Sequence, residues 1–120
     1  AARWQNEVVM GVLASAAVGY AKGDYFAILD GIIGPWFLDA FRTIDAPTHY
    51  IVLRPALEIS LERARSRGDQ FKASGPLSEL HAQFSFLGAL ERHVIGNTAQ
   101  QLEDTLSAVS AALREGSCRL

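Results

Sequence analysis

A chain of 120 residues with a formal net charge of −2 is long enough to bury one core without disulfides or structural metal, and it has no global attraction for nucleic acid or anionic membranes. Hydrophobic residues make up 49% and charged residues 20%, an ordinary soluble composition, and no uninterrupted apolar run reaches membrane-spanning length. A lone cysteine, Cys118, excludes an internal disulfide framework and fits a reducing compartment, so the expected location is the cytoplasm.

The first residues include Arg3, Gln5, Asn6 and Glu7, which do not read as a signal peptide, and Ala1 is not an initiator methionine. Val9, Val12, Leu13, Ala16, Ala17 and Tyr20 recur at spacings of three and four, predicting a helix from about Asn6 to Ala21 that Gly23 stops. Tyr25-Phe26-Ala27-Ile28-Leu29-Asp30-Gly31 is a continuous apolar run too short for a helix. It predicts a strand buried on both faces, with Asp30 at its carboxyl end, where open α/β sheets bind ligands. Gly31-Ile32-Ile33-Gly34-Pro35-Trp36-Phe37 then pairs flexible backbone with large apolar side chains, a composition that can line a pocket. Trp36 to Phe41 is expected to be a short helix with Pro35 at its first position.

After the break at Asp45-Ala46-Pro47, His49-Tyr50-Ile51-Val52-Leu53 predicts a second strand, ending in Arg54-Pro55. The next helix should run from Ala56 to about Arg67, with Leu57, Leu61 and Ala64 inward and Gly68 at its end. Residues Asp69 to Pro76 lack apolar periodicity and read as a connection. Leu77, Leu80, Phe84 and Leu87 mark another helix, and His93-Val94-Ile95 a third strand. The last helix carries Leu102, Leu106, Val109 and Leu113. It is entered through Thr98-Ala99-Gln100-Gln101, which has capping-box spacing, and closed by Gly116. Alternation of this kind implies one α/β domain, residues 1–120, built on a parallel sheet flanked by helices. In that topology Asp30-Gly31, Arg54-Pro55 and Gly96-Asn97-Thr98 meet at one edge of the sheet.

Arg63, Arg65 and Arg67 lie within five positions, and Arg63 and Arg67 sit one helical turn apart. Guanidinium groups bind phosphate bidentately and stack on flat rings, so this pair leading into a connection has the form of a lid, residues about 63–76, closing on a nucleotide. A solvated helix face paired with Glu58 and Glu62 accounts for the same residues. Asp30 has two readings as well: an Asx-type turn, or a carboxylate that holds a magnesium-bound water or orients an acceptor hydroxyl. Arg54 either pairs with Asp30 or Asp45 or contacts an anion. Trp36 and Phe37 are core residues or a substrate platform. His49, His81 and His93 show no metal-type spacing with one another or with Cys118.

The strand ending in Asp30-Gly31, the strand ending in Arg54 and Arg63-x-x-x-Arg67-Gly68-Asp69 together resemble the carboxyl-terminal two thirds of small P-loop kinases of the AAA type. The nearest groups are the chloramphenicol phosphotransferase-like, zeta-toxin-like and gluconate-kinase-like proteins. The likeness extends from about Asn6 to Leu113. It implies a P-loop NTPase-like three-layer sandwich and transfer of the ATP γ-phosphate to a small-molecule hydroxyl, with ATP and magnesium as cofactors.

By the same resemblance, Asp30 matches the acidic residue near magnesium and the acceptor, and Arg63 and Arg67 match the lid arginines. Gly96, Asn97 and Thr98 fall at the loop beside the adenine, where an Asp-Thr pair is usual. Gly31, Trp36, Phe37 and Arg54 become candidate substrate contacts. No Gly-x-x-x-x-Gly-Lys-Ser/Thr occurs in the sequence, so the phosphate cradle is expected upstream of Ala1 and the fold is expected to be amino-terminally incomplete. The alternative is a catalytically inactive nucleotide-kinase-like module that dimerises through the sheet edge left uncovered. Expected partners are a nucleotide and a small-molecule substrate, with no nucleic acid or membrane.

Overall fold

The computed structural model describes residues 2–67, 75–99 and 101–120. It contains helices and a two-stranded parallel sheet, in two compact units: Ala1–Thr48 with Leu120, and His49–Arg119.

The first unit is organised by α1 (Ala2–Lys22), which starts four residues earlier than its periodicity predicts. Its buried face also differs from the expected stripe. Met10 and Ala14 are buried and Leu13 packs against them, whereas Val9, Val12 and Tyr20 are exposed. Between Glu7 and Lys22 the helix carries no charged residue. A helix apolar all round gives periodicity nothing with which to choose a face.

The helix ends in a Schellman motif. Tyr25 N–H donates to Tyr20 O at 3.0 Å and Asp24 N–H to Ala21 O at 3.1 Å. Gly23 follows the last helical residue, as expected, and the left-handed residue is Asp24, at φ 64°. The Tyr20 and Tyr25 rings meet edge to face at 5.7 Å, the apolar contact that accompanies this motif.

The expected strand at Tyr25–Asp30 does not form. The segment is irregular, with Tyr25, Phe26 and Ile28 exposed at 68%, 71% and 79%. A strand is completed by a neighbour's ladder, and none is supplied to this segment among the described residues. Leu29 and Ile33 still pack inward on the cluster of Met10, Ala14 and Phe41, and they pin the chain on either side of Asp30-Gly31-Ile32. A 3₁₀ turn follows at Pro35–Phe37, with proline at its first position as expected, and then α2 (Asp39–Arg42).

The second unit is built on β1 (Val52–Leu53) and β2 (Val94–Ile95), parallel, with Val52 opposite Val94 and Leu53 opposite Ile95. Arg54 N–H continues the ladder to Ile95 O at 3.0 Å. On the other side of the same segment, His49 bridges Arg119 antiparallel and Tyr50 N–H donates to Cys118 O at 2.9 Å. Helix α3 (Leu57–Ser66) follows Pro55, and α4 (Gly75–Gln83) precedes a 3₁₀ segment, Gly88–His93, that leads into β2. Helix α4 stops short of Leu87, and it takes in Gly75 and Pro76, which were expected in the connection. The rest of that connection and residues 68–74 of the expected lid lie outside the described residues.

Helix α5 (Leu102–Glu115) closes the unit at Gly116, left-handed at φ 72°. Its capping box uses Gln101 and Asp104, whose Oδ2 accepts from Gln101 N–H at 3.1 Å, not Thr98 and Gln101. Among the described residues no helix is long and apolar enough to cross a membrane.

Candidate functional site

Both strands of the parallel pair point their carboxyl ends the same way, which brings Arg54-Pro55-Ala56 beside Gly96-Asn97-Thr98. Proline at 55 removes one amide and sets the turn into α3. The next amide, Ala56 N–H, donates to Thr98 Oγ1 at 2.7 Å. Thr98 therefore joins the loop after β2 to the start of α3.

Arg63 stands on α3, half-buried, and its Nη2 donates to Asn97 O at 3.1 Å. Asn97 itself is buried, with Oδ1 lacking a hydrogen-bond partner among the described residues. Buried polar atoms are nearly always paired, so this orphan marks the loop as a place where a donor fits. Arg67 is exposed at the carboxyl cap of α3, its N–H donating to Arg63 O at 3.2 Å. The two arginines thus stand differently: Arg63 spans to the loop after β2, and Arg67 is the exposed residue at the end of α3.

Arg54 is engaged within the fold. Its Nη1 donates to Glu91 Oε2 at 2.7 Å and to Phe84 O at 2.9 Å, and its Nη2 donates to Glu91 Oε1 at 2.9 Å. The hydrogen bonds to Glu91 raise the arginine above its usual range, and those from Arg54 hold the Glu91 carboxyl below its own. Its partner is therefore Glu91, not Asp30 or Asp45 as expected.

Next to it, His81 Nε2 lies 2.9 Å from Pro55 O, and since a carbonyl only accepts, that nitrogen carries the proton. Arg54 and Pro55 thus tie α4 and the following 3₁₀ segment to the end of β1. Glu91 and His81 were not legible as members of this cluster because their partners lie 37 and 26 positions away.

The remaining candidates lie in the first unit. Asp30 and Gly31 are exposed, Phe37 packs against the core of Met10, Ala14 and Phe41, and Trp36 is 44% exposed. The described residues hold no group of three or more His, Cys, Asp or Glu able to cage a metal ion. No family model matches this chain, and no curated protein matches it.

Proposed function

We propose that this chain is the distal part of a cytoplasmic ATP-dependent phosphotransferase acting on a small-molecule hydroxyl. In this reading a Gly-x-x-x-x-Gly-Lys-Ser/Thr segment upstream supplies the phosphate cradle and completes a three-layer sandwich. The observation that carries it is the cluster at the carboxyl edge of the parallel pair: Arg63 on the Asn97 carbonyl, Thr98 on the Ala56 amide just before α3, and Asn97 Oδ1, without a partner among the described residues.

A flat guanidinium and an orphaned amide oxygen beside a loop are what an adenine needs, one for stacking and one to accept its exocyclic N–H. Arg67 answers the phosphates from the end of α3. Asp30 would orient the acceptor hydroxyl and hold a magnesium-bound water, and the bound ion would supply charge neutralisation on the phosphates.

ATP added to the isotopically labelled chain is expected to bind weakly and to move the amide resonances of Arg63, Asn97 and Thr98. The affinity should fall about tenfold, ~1.4 kcal/mol, in Arg63→Ala. Unmoved resonances at these three positions overturn the proposal. So does phosphoryl transfer by the isolated chain above an Asp30→Ala control.

A second reading, a catalytically inactive module that dimerises, draws on the exposed apolar side chains of Trp4, Val9, Val12, Tyr25, Phe26 and Ile28. A monodisperse monomer at all accessible concentrations would dispose of it.

A further inference from the structure

Ser85 lies just beyond the end of α4, exposed, and its side chain turns back onto the last turn of that helix. Its Oγ donates to His81 O at 2.8 Å and stands 3.5 Å from His81 Nδ1. The opposite ring nitrogen, Nε2, donates to Pro55 O at 2.9 Å. A neutral imidazole has one N–H, so that bond leaves the lone pair on Nδ1, facing the hydroxyl. Nucleophile, base and orienting acceptor thus stand in sequence, with a backbone carbonyl in the third place. Rotation about the Ser85 Cβ–Oγ bond turns the hydroxyl proton from the His81 carbonyl toward Nδ1. Separations of this size are common in unliganded catalytic sites and tighten with substrate.

The backbone at the serine is held in place. Arg54 Nη1 donates to Phe84 O at 2.9 Å and reaches Ser85 O at 3.5 Å, and the Glu91 carboxylate on the same guanidinium balances its charge. Phe86 follows, 85% exposed, and its N–H has no hydrogen-bond partner among the described residues. The amide after a nucleophilic serine is a donor to the oxyanion that forms when the serine adds to a carbonyl.

We infer that Ser85 and His81 are a nucleophile and its general base, and that together they cleave small, uncharged carboxylic esters. The activity uses none of Arg63, Asn97 and Thr98 and is independent of the phosphotransferase reading. Ser85 Oγ adds to the ester carbonyl carbon, the carbonyl electron pair moves onto oxygen beside Phe86 N–H, and the hydroxyl proton passes to His81 Nδ1. The tetrahedral centre then expels the alkoxide, which takes that proton and leaves as the alcohol, with the acyl group on Ser85. Water adds by the same route, giving a proton to Nδ1. The acid departs as the serine oxygen regains its hydrogen. Ester and water are the only reactants. Arg54 and Glu91 cancel beside the serine, which leaves no charge there to select an ionic ester.

The test incubates the full 120-residue chain with p-nitrophenyl acetate, quenches in acid and locates the acetyl group by peptide mass spectrometry. The expected result is an acetyl group on Ser85, formed with a burst of nitrophenolate and lost again on standing. Ser85→Ala should lose both adduct and burst, with helix content unchanged by far-UV circular dichroism. His81→Asn should slow formation of the adduct about a hundredfold, and acylation of the parent chain should slow in heavy water because a proton moves with the attack.

Acetyl groups confined to lysines and the amino terminus overturn the inference. So does a Ser85 adduct that forms in folded His81→Asn at the parent rate. Should that variant not fold, an acylation rate unchanged in heavy water overturns it instead.

Discussion

Arg54 and Glu91 stand 37 positions apart in sequence and meet through two parallel hydrogen bonds of 2.7 and 2.9 Å. The pair fastens the end of β1 to the 3₁₀ segment that delivers β2, and Arg54 also takes the Phe84 carbonyl just beyond α4. Because the arginine also holds the Phe84 and Ser85 carbonyls, whereas the glutamate carboxyl has only the Leu87 backbone besides Arg54, their loss is unequal. Arg54→Met should lower the melting temperature more than Glu91→Gln, and the double variant should fall close to Arg54→Met alone, read by thermal denaturation monitored at 222 nm.

The same pair sets an acid limb. Arg54 holds the folded Glu91 pKa below its unfolded value, so its contribution is present above the ordinary carboxylate range, about 4.3. It is lost as pH falls further, through the depressed folded pKa. Denaturant melts from pH 7 to pH 3 should show a shallower acid slope in Glu91→Gln than in the parent chain.

Tyr50 sets an alkaline limb. Burial pushes its phenol from 10.0 up to about 12, so between these values the unfolded chain releases a proton that the folded one keeps. Stability therefore falls as pH rises through that interval. Tyr50→Phe should flatten the fall, and the absorbance of tyrosinate at 295 nm gives the ionisation directly.

Asp24 occupies a left-handed position that glycine adopts without steric cost. Asp24→Gly is expected to raise stability by about 1 kcal/mol in urea titrations, and Gly116→Ala, at φ 72°, to lower it by about the same amount. A neutral result for Asp24→Gly would mean that the aspartate side chain compensates its own backbone.

Phe26 and Ile28 present apolar surface on an irregular segment without a strand partner among the described residues. Such a segment templates pairing with another chain. Phe26→Glu and Ile28→Glu should each shift sedimentation-velocity profiles toward monomer with unchanged helix content, and an unaltered distribution would place any association elsewhere.

These residues also show where sequence reasoning reached and where it stopped. Helices α3 and α5 were legible because each has polar and apolar faces, and their ends were marked by Pro55 and Gly116. The lack of a strand at Tyr25–Asp30 was not, because β-propensity reports fitness for a sheet and not the presence of a neighbour. The inward face of α1 was hidden by a surface with almost no charge to break its symmetry. The meeting of Arg54-Pro55 with Gly96-Asn97-Thr98 was legible from topology, since parallel strands align their carboxyl ends. The commitment of Arg54 to Glu91 was not, since no local pattern encodes a pairing between distant residues.

Cys118 is 2% exposed, within a tail held by Arg92 on the Ser117 and Arg119 carbonyls and by Tyr50 N–H on the Cys118 carbonyl. No second cysteine competes with it for reagent. The rate at which an alkylating agent modifies this sulfur therefore clocks the detachment of that tail, a reporter already present in the natural chain. If tail release and global unfolding are one event, the clock will slow in step with every stabilising change made elsewhere in its unit. If they are separate, it will keep its own time.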